Sequence, residues 1–267
     1  MQRQPAVADR FYTGSAQQLR AELARLIRPS ETRKKVVGII SPHAGYMYSG
    51  PIAGKVYAAI ELPPTVLILG PNHHGVGAAA GLYPDGEWLT PLGTVAINAR
   101  LNALIRKHAP FVQVDSASHQ FEHSLEVQVP FIQYLRPEVT MSAICVGFGD
   151  YPTADALGRG IAAAIREFGG EVLIVASSDM THYETSESAR GKDEQALDRV
   201  GAFDPEGLVR ICRSEHITMC GVVPAAIMLV AARDLGATQV ERVAYATSGD
   251  VTGDNRQVVG YAGVMVW

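Results

Sequence analysis

Cysteine is scarce in this chain. Cys145, Cys212 and Cys220 form no C-x-x-C pair, so no disulfide framework is expected and a reducing compartment fits better. Positive charge is also short. Lys and Arg number 23 against 27 Asp and Glu, for a net charge of -4, which leaves nothing to neutralise a phosphate backbone and argues against nucleic acid as a partner. Long apolar runs are missing. The longest, Gly221 to Ala232, falls short of the roughly 20 residues that span a bilayer, so it reads as a buried helix and no membrane association is expected. The first residues, MQRQPAVADRFYTG, carry no apolar signal segment, and a cytoplasmic location is the expectation. No G-x-G-x-x-G, G-x-x-x-x-G-K-[ST] or G-x-S-x-G motif is present, so nucleotide-binding loops and the hydrolase nucleophile elbow lack their signatures.

What the chain does have is apolar mass, at 47% hydrophobic and 19% charged residues, enough for a large buried core. Val36–Ile40, Val66–Leu69, Val139–Val146 and Val172–Ala176 are short, continuous apolar runs of the kind found in sheets covered on both faces. Val240–Thr247 and Val258–Val266 add two more strands, and Trp88–Ile97 reads as a small hairpin. Helical patterns cover Ala16–Ile27, Ala99–His108, Ser124–Leu135, Thr153–Phe168, Ser186–Val200 and Pro205–Arg213. The alternation predicts a three-layer αβα fold, with a central, mainly parallel sheet, as one domain over residues 1–267.

Polar residues fall at telling places. Val36–Ile40 is followed at once by Ser41-Pro42-His43, Val66–Leu69 by Gly70-Pro71-Asn72-His73-His74, and Val172–Ala176 by Ser177-Ser178-Asp179-Met180-Thr181-His182. The run ending at Thr247 leads into Ser248-Gly249-Asp250. Ligands of open α/β sheets bind beyond the carboxyl ends of the strands, so His43, His73, His74, Asp179, His182 and Asp250 are expected to converge there. A single His after a strand is usually a turn residue, and the neighbouring Gly and Pro suit tight turns as well. Three separate strand ends carrying His favour a site suited to metal binding and proton transfer. His73 and His74 are adjacent and cannot easily share one ion in an extended chain; one is a ligand and the other lines the pocket.

A second polar cluster, Phe121-Glu122-His123-Ser124-Leu125-Glu126, places Glu122 and Glu126 four residues apart on one helical face. The bland reading is a capped helix start; the functional reading puts His123 and Glu126 on the pocket wall. Cys220 opens the apolar helix and reads as a packing residue rather than a nucleophile.

PHAGYMYSG (42–50), GPNHHG (70–75), FEHSLEVQVPF (121–131), SSDMTHY (177–183) and ATSGD (246–250) together resemble the Memo family, and the resemblance runs nearly end to end. It implies a fold similar to class III extradiol dioxygenases, non-haem iron enzymes with two His and one Glu around Fe(II). By resemblance His43 and His73 take the two metal-His positions, His182 the acid/base position and Asp179 the acidic position beside it. The third ligand, Glu in those enzymes and Cys in the human Memo protein, aligns with Val251, which cannot ligate; Asp250 is the expected substitute. His74, His123, Glu126 and Tyr46 are expected to bind substrate. The cofactor implied is a divalent transition metal, Fe(II) first, with copper or zinc as alternatives. The resemblance also implies a small oxygen-rich substrate and, as partners, a protein like the AMME candidate-gene product and a radical SAM protein. The competing reading is a peptide- or protein-binding module that uses the same crevice without catalysis.

Overall fold

A computed structural model describes residues 1–28, 30 and 32–267. In chain order its elements are β1 (Gln2–Arg3), α1 (Ala16–Leu26), β2 (Gly38–Ser41), α2 (Tyr46–Ala58), β3 (Thr65–Pro71), β4 (Ala80–Leu82), β5 (Glu87–Thr90), β6 (Gly93–Ile97), α3 (Ala99–His108), β7 (Gln113–Val114), α4 (Val129–Leu135) and β8 (Thr140–Val146). There follow α5 (Tyr151–Phe168), β9 (Val172–Ser177), β10 (His182–Glu184), α6 (Ser186–Gly201), α7 (Pro205–Ser214), α8 (Val222–Asp234), β11 (Val240–Thr247), α9 (Gly249–Thr252) and β12 (Val258–Val266). Two turns of 3-10 helix cover Ala117–His119 and Glu126–Gln128.

Four strands, in the order β8-β3-β9-β2, form the parallel centre of the sheet, with Leu67 opposite Ser142 on one side and Ile174 on the other. The antiparallel strand β12 continues the sheet from β2, and β11 pairs with β12. The predicted hairpin forms as β5 and β6, with β6 joined to β8. Successive side chains of a strand face opposite ways. Ile40, Leu67, Leu69, Ile144 and Ile174 accordingly pack into one apolar cluster with Leu157, Ile161 and Ile227 of α5 and α8. Ile39, Val66, Ile68, Leu173 and Val175 enter a second cluster with Leu19, Val56 and Phe131 of α1, α2 and α4. Burial on both faces explains why these strands read as unbroken apolar runs.

The helices begin where the side chains specify. Ser15, Asn98, Asp150, Thr185 and Asp204 each cap a helix by accepting a backbone N–H three residues on. The expected helix over Ser124–Leu135 starts only at Val129, because Ser124 spends its hydroxyl on the Pro71 carbonyl and its N–H on Glu122. Helix α2 carries Gly50, Pro51 and Gly54, breaker residues that hide it in the sequence. Gly54 is required there: a Cβ would lie 2.3 Å from the Leu26 carbonyl oxygen at the end of α1. No helix among the described residues is long and apolar enough to cross a membrane.

The N-terminal segment is stitched to the Ala117–Gln128 region by a buried ion pair. Arg3 donates to a Glu126 carboxylate oxygen at 2.6 Å and to the carbonyls of His119 and Glu122, while Glu126 also accepts from Ala6 N–H, Val7 N–H and the Tyr12 hydroxyl. Breaking a buried pair strands the remaining charge at a cost of roughly 3–5 kcal/mol, so Arg3→Met should lower the unfolding free energy by about that much in a urea titration. A loss under ~1 kcal/mol would show that the pair carries little.

His119 is fully buried against Tyr83 and Trp88, gives its Nε2–H to the Gly81 carbonyl, and leaves Nδ1 without a partner. Burial pushes it down to about 4. Its folded value thus lies below the unfolded value, so the unfolded chain binds the proton first, and stability is present above pH ~6.5 and drains as pH falls towards 4. In urea titrations at pH 7 and pH 4.5, His119→Gln should lose about 2–3 kcal/mol less than the parent chain on acidification. Equal losses would remove His119 from the acid response.

Candidate metal centre

Three neighbouring strands, β3, β9 and β2, end at the same edge of the sheet, and each delivers a polar residue there. His43 lies two residues past β2, His73 two past β3 and Asp179 two past β9. His43 and Asp179 lock together through the His43 N–H, which donates to Asp179 Oδ1 at 2.7 Å. His123 arrives from the segment before the 126–128 turn. The imidazoles of His43, His73 and His123 form one cluster, each offering a nitrogen within 4.8 Å of the others. His73 and His123 stack at a centroid distance of 4.6 Å, and His43 stands edge-on to both at 5.4 Å.

Hydrogen bonds fix which nitrogen each ring presents. Ser177 Oγ gives its proton to the Ser124 carbonyl at 2.6 Å and accepts from Gln128 Nε2 at 2.8 Å. The Gln128 amide is itself oriented by the Tyr57 hydroxyl, which donates to its oxygen at 3.0 Å. His43 Nδ1, 2.9 Å from Ser177 Oγ, must therefore donate, and its Nε2 carries the bare lone pair. His73 reaches the same state through Glu122, whose two oxygens accept the His73 N–H at 2.7 Å and Nδ1–H at 2.9 Å. His123 Nδ1 lies 3.4 Å from the same Glu122 oxygen. A carboxylate hydrogen-bonded behind an imidazole fixes its tautomer and raises its basicity as a ligand, as Glu122 does for His73.

Electrostatics keep the cluster ready for a cation. Burial first, and then the fields of His123 and His73, hold His43 well below the ordinary histidine value, and burial pushes His123 down to about 4. Both rings are neutral near pH 7, as ligation requires. Burial alone would raise Glu122; the bonds from His73 and Ser124 and the adjoining imidazoles outweigh it and hold the carboxyl well below its usual range. Asp179 is pushed up to about 6 by burial, against the pull of the His43 N–H and of His182. His182 donates Nδ1–H to the Thr218 carbonyl at 3.0 Å, which leaves its Nε2 free to take a proton. Next to it, Tyr183 holds a left-handed backbone at φ 60°, an uncommon conformation for a non-glycine residue and one that marks strain at functional positions.

The structure thus brings together His43, His73, His123 and Asp179, with His182 among the electrostatic surroundings of His43 and Asp179. His123, expected to bind substrate, sits in the metal cluster itself. Asp250 is not there. Its carboxylate accepts the Thr247 N–H and hydroxyl and pairs with Arg190 at 3.0 Å on the surface, because the chain turns into α9 right after β11. Val251 is about half exposed on the same turn. Glu126 faces away from the pocket, into the Arg3 pair, and the Tyr46 hydroxyl is buried against the Val127 carbonyl. His74 is exposed and pairs with the Phe121 carbonyl. The reading of Cys220 as a packing residue also changes: its Sγ lies 3.2 Å from His43 Nε2. No local signal joins positions 177 residues apart, whereas Glu122 was legible as part of the polar segment around His123.

Glu122→Gln keeps the size of the side chain but removes the charge behind His73 and His123. It should weaken divalent-metal binding by roughly 10- to 100-fold in calorimetric titration while the fold persists by circular dichroism. Unaltered affinity would mean that the imidazoles hold their orientation without it.

A Memo-like protein family model matches residues 3–265. A MEMO1 family protein of Methanopyrus kandleri is 40% identical, with 99% of each chain covered, and one of Aquifex aeolicus is 42% identical, with 98% of each covered. Among solved structures, the uncharacterized protein JW3007 from Escherichia coli K12 shares the fold at a TM-score of 0.55 and 12% identity, covering 86% of this chain and 100% of its own. With this architecture and its histidine cluster in place, the chain belongs to the Memo family.

Proposed function

We propose that this protein is a metal-dependent enzyme acting on a small, oxygen-rich substrate at a mononuclear site held by His43, His73 and His123. The observation that carries this reading is the gathering of three imidazoles, each offering a nitrogen within 4.8 Å of the others, two of them showing a bare Nε2 fixed by hydrogen bonds behind it. Imidazole suits iron, zinc, copper and nickel, and Fe(II) is our first choice because of the non-haem iron enzymes that the family resemblance implies. A divalent ion in such a site supplies Lewis acidity towards substrate oxygens.

The chain's own residues supply the rest. His182, tied through Nδ1–H to Thr218, keeps Nε2 open to accept a substrate proton and later return it. Asp179 holds the His43 backbone and so fixes the distance between the His43 loop and the end of β9. The wall behind the imidazoles, built from Gln128, Ser124 and Ser177, is fully buried and keeps water away from that side.

A second reading, a binding module for peptide or protein, draws on the exposed Met47, Phe121 and Tyr183, which belong to the segments that carry His43, His123 and His182. Metal dependence separates the two. His43→Ala and His73→Ala should each abolish tight Fe(II) or Zn(II) binding in anaerobic titration, whereas His182→Ala should leave affinity within about threefold and depress turnover by roughly 100-fold or more in an oxygen-uptake screen of small oxygen-rich compounds. Metal affinity indifferent to His43 and His73 would overturn the enzyme reading and favour the module.

A further inference from the structure

Asp193 is a buried charge outside the metal cluster. It lies on α6, is wholly enclosed, and among the described residues no cation pairs with it. A buried carboxylate is costly unless its lone pairs are used, so its donors carry the reason for its burial. Oδ1 accepts the Thr181 N–H at 2.8 Å, and Oδ2 accepts the Tyr245 hydroxyl at 2.6 Å. Thr181 stands directly before His182, the residue to which the proposed function gives the proton transfer. We propose that Asp193 is the positioning residue of His182: by holding the Thr181 N–H from α6, it fixes the peptide that carries the His182 ring and so keeps that ring on Thr218.

The chain at His182 has an uncommon shape to keep. Tyr183, the next residue, holds a left-handed backbone at φ 60°, a conformation that persists only where the surrounding structure fixes it. Three elements supply that constraint. From β12, the Gly260 carbonyl accepts the Met180 N–H at 2.8 Å, and the Gly260 N–H donates to the Thr181 carbonyl at 2.9 Å. From the segment before α8, Thr218 Oγ1 accepts the His182 N–H at 2.8 Å, and the Thr218 carbonyl accepts the His182 Nδ1–H at 3.0 Å. Asp193 takes the N–H between these two, that of Thr181, and is the only charged group in the set. Gly260 leaves room for it, since a Cβ there would lie 2.0 Å from Asp193 Oδ2. On the far side of the carboxylate Tyr245 is held in turn: Arg190 lies over its ring at 5.3 Å and pairs with Asp250 at 3.0 Å. The turn after β11 thus supports the His182 side of the crevice from behind, although Asp250 lies away from the imidazoles.

The positioning role rests on the proton-transfer reading of His182, and its test reads the ring apart from turnover. The metal-free, isotope-labelled full chain is compared by NMR with Asp193→Leu and Asp193→Asn, with His182→Ala marking the His182 signals. The ring should be held as the Nδ1–H tautomer in the parent and in Asp193→Asn, which keeps an oxygen for the Thr181 N–H, and should become a mixture of tautomers in Asp193→Leu. Zn(II) affinity should stay within about threefold in both variants, because Asp193 backs no imidazole of the cluster. In the oxygen-uptake screen, Asp193→Leu should turn over roughly 10- to 100-fold more slowly and Asp193→Asn near the parent rate. Because Asp193→Leu could fail to fold, the coupling across the hydrogen bond between the Thr181 nitrogen and the Asp193 carboxyl carbon is measured in the parent chain, where it should be present. A folded Asp193→Leu with the parent tautomer, loss of that tautomer in Asp193→Asn, or absence of the coupling would overturn the assignment. Parent-level turnover in Asp193→Leu despite an altered tautomer would overturn it too. No turnover in any chain, parent included, with the tautomer altered as expected, would overturn the proton-transfer reading and leave Asp193 as the anchor of the ring.

Discussion

The Glu122 carboxylate is wholly buried, yet it stays charged because it receives the His73 N–H, the His73 ring and the Ser124 N–H. Those bonds make it the joint between two parts of the molecule. On one side it orients the loop after β3; on the other it is anchored in a segment that Arg3 grips through the Glu122 carbonyl and the Glu126 carboxylate. His123, the third imidazole, is its immediate chain neighbour. A buried charge of this kind is costly unless every lone pair is used, which is why so many donors surround it. Without it, His73 would lose the constraint that turns it towards His43.

The rest of the site follows from the order of the strands. A parallel sheet collects loop residues at its carboxyl edge, and placing β9 between β3 and β2 brings His73, Asp179 and His43 to adjacent positions. The two apolar layers that clamp this sheet make the edge rigid. The polar tier beneath the imidazoles, Gln128, Ser177 and Ser124, has its hydrogen bonds satisfied, so the geometry costs little to keep.

The sequence made much of this legible, for identifiable reasons. Strands buried on both faces leave unbroken β-branched runs, and the His residues following them mark the ligand edge. Glu122 and Glu126 look equivalent at a spacing of four, yet the chain between them does not form an α-helix, and one serves His73 while the other serves Arg3. Asp250 was attractive because it follows a strand as His43 does. However, β11 is antiparallel to β12 at the far side of β2, and its end turns into a surface helix where Arg190 and Thr247 claim the carboxylate. Helix α2 was obscured by Gly50, Pro51 and Gly54, whose reason is the close approach of α1, a tertiary contact. Cys220 reaches His43 only through the docking of α8 on β9.

The proposed metal centre places one ion among three imidazoles at the carboxyl edge of the sheet. Anomalous diffraction from crystals of the chain loaded anaerobically with Fe(II), collected on either side of the iron edge, tests it directly. A single strong peak is expected about 2.0–2.2 Å from the inward-facing nitrogens of His43, His73 and His123. A peak elsewhere, at Asp250 for instance, or no peak in fully loaded crystals, would contradict it.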